Sequence, residues 1–283
     1  MRAAAQVCAA PGGRLAELRS EVPLTLRWAD GCLYVVGSAF APLGGDDLAL
    51  DIVVEPGASL TVRTVAASIA QPSPSGLPSR FAVTARVGAG GSLRWLPEPG
   101  VAAVGAVHHA DAVVDLAVDA ELTWREEVIL GRHGEPGGEW RSTLRVTRDG
   151  LPVLVQDTAY GGPLWASPAV GAGYRAAGSV VVVGADAPTE PQAGDRWAVM
   201  PLAAPQAALV SALAADALTL RRRLDRGQGV EGRSGRWTTS LAPPPGASVA
   251  MTEPDIASAR ARTVARPTPV PGPGPAPEVG LPV

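Results

Sequence analysis

Leu50-Asp51-Ile52-Val53-Val54, running into Pro56-Gly57-Ala58-Ser59-Leu60-Thr61-Val62, is the stretch on which the fold turns. Apolar and polar side chains alternate on both sides of a corner of small residues, the pattern of two short strands joined by a bend. The same template returns twice. Phe81-Ala82-Val83-Thr84-Ala85-Arg86-Val87 leads into Gly90-Gly91-Ser92-Leu93-Arg94-Trp95, and Val113-Val114-Asp115-Leu116-Ala117-Val118 leads into Asp119-Ala120-Glu121-Leu122-Thr123-Trp124. The equivalent leucines Leu60, Leu93 and Leu122 lie 33 and 29 residues apart. A period of about 30 residues predicts similar β-units stacked side by side. The fold class is therefore read as mainly β, a β-helix-like solenoid body with one or two α-helices near the C-terminal end. A plain antiparallel sandwich with coincidental spacing is the competing reading.

Composition narrows the function. Gly 33 and Pro 28 together exceed a fifth of the 283 residues, which suits short strands and many turns. A formal net charge of -3 supplies no bulk basic field for nucleic acid. All 24 basic residues are arginine, which excludes a lysine Schiff base and the lysine of a phosphate-binding loop. Cys8 and Cys32 form no Cys-x-x-Cys pair, so a zinc knot is not expected. Neither a secretory signal nor a run of about 18 apolar residues is found. The expectation is a soluble cytoplasmic protein with reduced thiols and no membrane or nucleic-acid partner.

Residues 1–13 read as a flexible N-terminus, 14–242 as one β-rich domain and 243–283 as a proline-rich disordered tail, with eleven prolines in the final 41 residues. Asp30-Gly31 and Asp149-Gly150 are two-residue hairpin turns. Between Gln206 and Arg226, Leu209, Leu213, Ala217, Leu220 and Leu224 fall on one helical face. A strand over Ala207–Leu213 followed by a shorter helix capped by Asp216 is the alternative, and the preferred one.

Enzyme motifs such as Gly-x-Ser-x-Gly or His-Glu-x-x-His are missing. His108 and His109 are neighbours on a strand and face opposite ways, so they make at most a weak metal site with Asp111. Asp46-Asp47, Glu98, Glu126-Glu127 and Glu139 sit near glycine-rich corners. Two facing acids would suit glycoside hydrolysis, which makes a stacked-β carbohydrate-active enzyme the rival function; acids lining a passage would suit a divalent cation. Asp46 stands out because Gly44 and Gly45 fix where it points. Arg132, between Gly131 and Gly134, is expected to clamp Glu139. Trp95 and Trp124 fall on the face of their template leucines, as core or as a docking ridge.

An ordered series of motifs resembles the UreD (UreH) family of urease accessory proteins. Gly44-Gly45-Asp46 is followed by Leu50-Asp51-Ile52-Val53-Val54 and Pro56-Gly57-Ala58, then by Leu93-Arg94-Trp95-Leu96-Pro97-Glu98-Pro99. Leu130-Gly131-Arg132 leads to Gly138-Glu139, and Arg148-Asp149-Gly150-Leu151-Pro152-Val153-Leu154 closes the series. The family's Lys-x-Tyr-Arg stretch is missing; Ser68-Ile69-Ala70-Gln71 stands in its place. The resemblance implies a non-enzymatic scaffold with a stacked β fold, which binds a UreF-type protein and, through it, a UreG-type GTPase, and docks on apo-urease. It implies no tightly bound cofactor and transient passage of Ni2+. Carried onto this chain, Asp46 is the foremost route residue and Ser68 matches a family position close to it, with Glu98 and Glu139 after them. Oxygen donors hold nickel weakly enough to release it, as a passage requires.

Overall fold

A computed structural model of the chain describes residues 1–39 and 41–229. Eighteen strands and one helix are assigned among them. In chain order the strands are β1 (Arg2–Ala10), β2 (Arg14–Arg19), β3 (Leu24–Ala29), β4 (Cys32–Gly37), β5 (Asp47–Val54), β6 (Ser59–Thr64), β7 (Ser68–Ala70), β8 (Ser79–Val87) and β9 (Ser92–Trp95). They continue with β10 (Gly100–Ala102), β11 (Val107–Leu116), β12 (Glu121–Leu130), β13 (Glu139–Arg148), β14 (Leu151–Tyr160), β15 (Ala176–Val183), β16 (Gln192–Gly194), β17 (Trp197–Pro201) and β18 (Ala207–Ala214). The helix α1 (Ala217–Gly227) follows.

Two sheets face each other. The first has seven strands in the order β14-β13-β11-β8-β5-β1-β2; the second runs β16-β17-β18-β15-β12-β9-β6-β4-β3, with β7 and β10 beside the far half of β12. The chain passes from one sheet to the other and back, so that β5, β8, β11 and β13 stack in parallel, as do β6, β9 and β12. The result is a solenoid of about four turns. The template of the sequence is its repeat: Leu60 pairs with Leu93 and Leu93 with Leu122 across adjacent strands. All three are at most 1% exposed, and burying each contributes about 2 kcal/mol. The corners repeat too. Gly57 N–H donates to Ala89 and Gly90 N–H to Val118, and the third corner puts Asp119 at φ 56°, near the 64° of Gly90. Asp is among the few residues other than glycine that tolerate this left-handed conformation.

Trp95 and Trp124 lie inside, stacked with ring centroids 5.0 Å apart, and belong to the core. Asp30-Gly31 and Asp149-Gly150 both form their hairpins. The region after Gln206 resolves as the preferred split, strand β18 and then α1, with Asp216 as N-cap accepting from the Thr219 N–H. One expectation fails. Residues 1–13 are not a loose start: β1 lies between β5 and β2, with Ala3, Ala5, Val7 and Ala9 all buried. Its inward set is mostly alanine, which has low strand propensity, so the alternation carried little signal. The tail expected over 243–283, and the domain end expected at 242, lie outside the described residues.

Candidate functional site

The inner faces of the coil are apolar except in one layer. Along β12 the inward phase reads Leu122, Trp124, Glu126, Val128, Leu130. Along β13 it reads Trp140, Ser142, Leu144, Val146, and along β11 His108, Ala110, Ala112, Val114. Glu126, Ser142 and His108 thus interrupt the interior at one end of the main core, before a smaller apolar cluster around Trp140, Tyr160 and Trp165. The wall is interrupted there as well. β9 accompanies β12 only as far as Trp124, and β10 takes over at Val128. The bend at Leu96–Pro99 leaves Arg125–Glu127 without a parallel neighbour on that side. A cavity of about 380 Å³ occupies this region, and Ser68, Glu98, His108, Glu126 and Ser142 line it.

The polar groups of this layer are held in place. Glu126 accepts from the Ser142 hydroxyl on one oxygen and from Trp140 Nε1 at 3.2 Å on the other. Burial pushes its carboxyl above the ordinary range, against the two hydrogen bonds. His108 is 2% exposed. Its Nδ1 is 2.8 Å from the Ser79 hydroxyl, and its ring centroid lies 4.2 Å from that of Trp140. Burial first, then His109, lower its pKa to about 4, with Asp111 opposing, so the imidazole is neutral at neutral pH. Trp140 therefore touches both groups. Gly100 makes room for it, since a Cβ there would come within 2.3 Å of the indole.

A second set of charges fastens the helix to the cavity wall. Arg221 of α1 donates to Glu127 and to Glu98, and Arg125 donates to Glu127, to Asp225 and to Gln228. Glu127 has no exposed side-chain surface, so removing either arginine leaves a buried charge short of a partner.

The expected site residues are scattered. Ser68 and Glu98 line the cavity; Asp46 and Glu139 do not. Asp46 is buried, with one oxygen 2.6 Å from the Met1 ammonium and the other accepting from the Leu43 N–H at 2.9 Å. Asp46 and Glu98 are held in different ion pairs, Asp46 with the Met1 ammonium and Glu98 with Arg221. Arg132 does clamp a carboxylate, but it is Glu135, at 2.9 Å for both Nε and Nη2; Glu139 has started β13 and is exposed. The tight turn over 132–135 brings the nearer acid round first. His108 and His109 face opposite ways, as the strand period requires, His108 into the cavity and His109 onto the outer face with Arg80 and Arg141. Sequence reasoning missed Ser142, Ser79 and Trp140, and it named Glu126 only as one of several candidate acids. The signal was present in period two: Glu126 stands in the inward phase between Trp124 and Val128. Among the described residues no three His, Cys, Asp or Glu side chains converge as a metal-holding group. The cavity lining carries one imidazole, His108, and four carboxylates, of which Glu98 and Glu127 are paired with Arg221 and Asp111 with Arg80, which leaves Glu126 as the acid without an arginine partner in an ion pair among the described residues.

Known proteins share this sequence at length. The UreD urease accessory protein family matches residues 2–243. A protein named urease accessory protein UreD from Parafrankia sp. (strain EAN1pec) is 46% identical over 275 residues, covering 86% of this chain and 90% of that relative. One of the same name from Frankia casuarinae is 41% identical over 280 residues, covering 80% and 88%. Urease accessory protein UreD 3 of Streptomyces griseus is 43% identical over 244 residues, covering 80% and 95%. The family match takes in every described strand and the helix, and on it the chain belongs to the UreD urease accessory protein family.

Proposed function

We propose that this chain is a non-enzymatic scaffold of urease maturation. It works in the cytoplasm, docks on apo-urease with a UreF-type protein and, through that protein, a UreG-type GTPase, and assists nickel delivery to the urease active site. Nickel is cargo here. The observation that carries this reading is the polar layer of Glu126, Ser142 and His108 set into an otherwise apolar coil and opening on a cavity. Glu126 is half-buried on the cavity wall, and a carboxylate drawn in among apolar side chains costs stability unless paired with a cation or fully hydrogen-bonded, so a layer of this kind is better explained by something that uses it. Ser68 and Glu98 on the cavity wall form its approach, and Asp46 and Glu139 belong to the outer ends of the route. Few donors of mixed N and O type let the ion leave again. Among the described residues no helix is long and apolar enough to cross a membrane.

Urease activation with limiting nickel tests the proposal. Glu126→Gln keeps the shape while removing the charge: its amide oxygen can still accept from Trp140 Nε1, and the Ser142 hydroxyl can turn to accept from its NH2. Urease protein yield is expected to stay the same while its specific activity falls several-fold. Full activation by the Glu126→Gln chain at limiting nickel would remove the cavity from the route.

A further inference from the structure

We infer that His108 and Glu126 form a two-donor stop for a borderline divalent transition metal, with Trp140 as the residue that positions both. This rests on reading the cavity as a nickel passage and adds which donors the ion meets and which ions they favour.

The argument starts from the imidazole. Ser79 engages Nδ1, which leaves Nε2 as the nitrogen available to a ligand in the cavity that His108 lines. With its proton on Nδ1, donated to the Ser79 hydroxyl oxygen, the imidazole carries a lone pair on Nε2. A buried histidine fixed at one nitrogen by an oxygen-bearing partner is how proteins orient an imidazole toward a metal. Glu126 is oriented in the same way: each carboxylate oxygen accepts one hydrogen bond, from Ser142 and from Trp140, and each keeps a lone pair. The indole ties the two together. Its ring lies against His108, its N–H holds Glu126, and Gly100 beneath it has no side chain to displace it.

Donor type sets the preference. Imidazole nitrogen suits Ni2+, Co2+ and Zn2+, whereas Mg2+ and Ca2+ require larger all-oxygen sets. Two protein donors, the rest of the shell being water, hold an ion loosely enough to pass it on. His109 supplies an internal control, because it stands next in sequence on the opposite face of the strand.

The chain has three histidines, His108, His109 and His133, so side-chain nitrogen NMR of the full-length protein, free of partners, reads each one. On titration with Ni2+, the His108 resonances are expected to broaden first. A tenfold excess of Mg2+ is expected to leave that response unchanged, and Co2+ to reproduce it. Trp140→Phe keeps an aromatic ring but removes the N–H, and is expected to weaken the His108 response by about tenfold, the usual effect of losing an outer-shell partner. His108→Phe is expected to abolish nickel binding in the cavity, and His109→Phe to leave it intact. If His108→Phe fails to fold, the wild-type titration and Trp140→Phe decide the matter without it. Broadening of His109 or His133 with His108 unaffected, equal competition by Mg2+, or an unchanged response in Trp140→Phe would overturn the inference. The readout is separate from urease activation. A responsive His108 together with normal activation by Glu126→Gln would keep the stop and reject the delivery route.

Discussion

At the scale of single residues, Gly100 and Arg132 show how a close approach and a charge pair differ in consequence. Gly100 lies under Trp140, and a methyl group added there would sit 2.3 Å from an indole carbon, with two more ring carbons inside 2.8 Å. The ring has to move, and its contacts with His108 and Glu126 go with it. Gly100→Ala is therefore expected to lower stability by about 2 kcal/mol, the usual cost of overpacking, read as a shift in the urea midpoint. Arg132 is the opposite case. Its bidentate pair with Glu135 lies in solvent, the guanidinium being 53% exposed, so water and salt screen it. The Arg132→Ala protein is expected to melt within a degree or two of the parent, an order-of-magnitude bound for an exposed pair. The pair is visible in titration instead. The Arg132 side chain, then the Arg132 backbone N–H, hold the Glu135 carboxyl at about 2 against an ordinary 4.5. A depressed carboxyl favours the folded state above the unfolded value, and that contribution goes as pH falls from 4.5 through about 2. Carboxyl-carbon NMR of Arg132→Ala should find Glu135 titrating closer to 4.5; a value still near 2 would show that the backbone donors alone suffice.

At the scale of elements, the leucine ladder and the helix cap carry most of what the sequence revealed. Leu93 sits between Leu60 and Leu122 with no exposed surface, so Leu93→Ala opens a cavity between two turns of the coil and should cost about 3 kcal/mol. Leu18, on edge strand β2 and 40% exposed, should cost far less when truncated. Asp216 caps α1, accepting from the Thr219 N–H at 2.8 Å. That backbone hydrogen bond, followed by the Thr219 hydroxyl, lowers its pKa from the ordinary 3.8. The stabilisation is present above 3.8 and fades as pH drops below it. Asp216→Ala should cost about 1 kcal/mol at neutral pH, whereas Asp216→Asn should keep most of the cap and lose its acid sensitivity. Comparing urea midpoints of the two variants at pH 7 and pH 3 tests this. These elements were legible because each has a local cause: a repeat, a turn dipeptide, a capping acid. β1 was not, because its inward alanines look like any small-residue run until β5 and β2 flank it. The carboxylate of the site was half legible. Glu126 stood among the candidate acids, but which acid turns inward depends on the phase of a strand running six residues past the template's final tryptophan, and which partners it meets depends on β13, from another turn of the coil.

At the scale of the whole molecule, the polar layer separates what folds the coil from what the coil is for. The main core runs without interruption from β1 to β18, and a smaller apolar cluster closes the end beyond Trp140. Between them lie a carboxylate and the three side chains around it, where an ordinary solenoid would carry another tier of leucines and valines. Stability does not require that tier to be polar. Replacing a buried charged group and all of its partners by apolar side chains of similar size is often neutral or stabilising by about 1–4 kcal/mol, whereas removing one member alone leaves the others unpaired and destabilises. Glu126→Met, Ser142→Ala and Trp140→Phe made together remove the acid and both groups that donate to it. The triple variant is expected to melt no lower than the parent, while Ser142→Ala alone melts lower. If the layer exists for passage, urease activation at limiting nickel should collapse in the triple variant in spite of its intact fold. A triple variant that is less stable and yet fully active would instead make the layer a device for holding the two sheets in register, with cargo passing elsewhere.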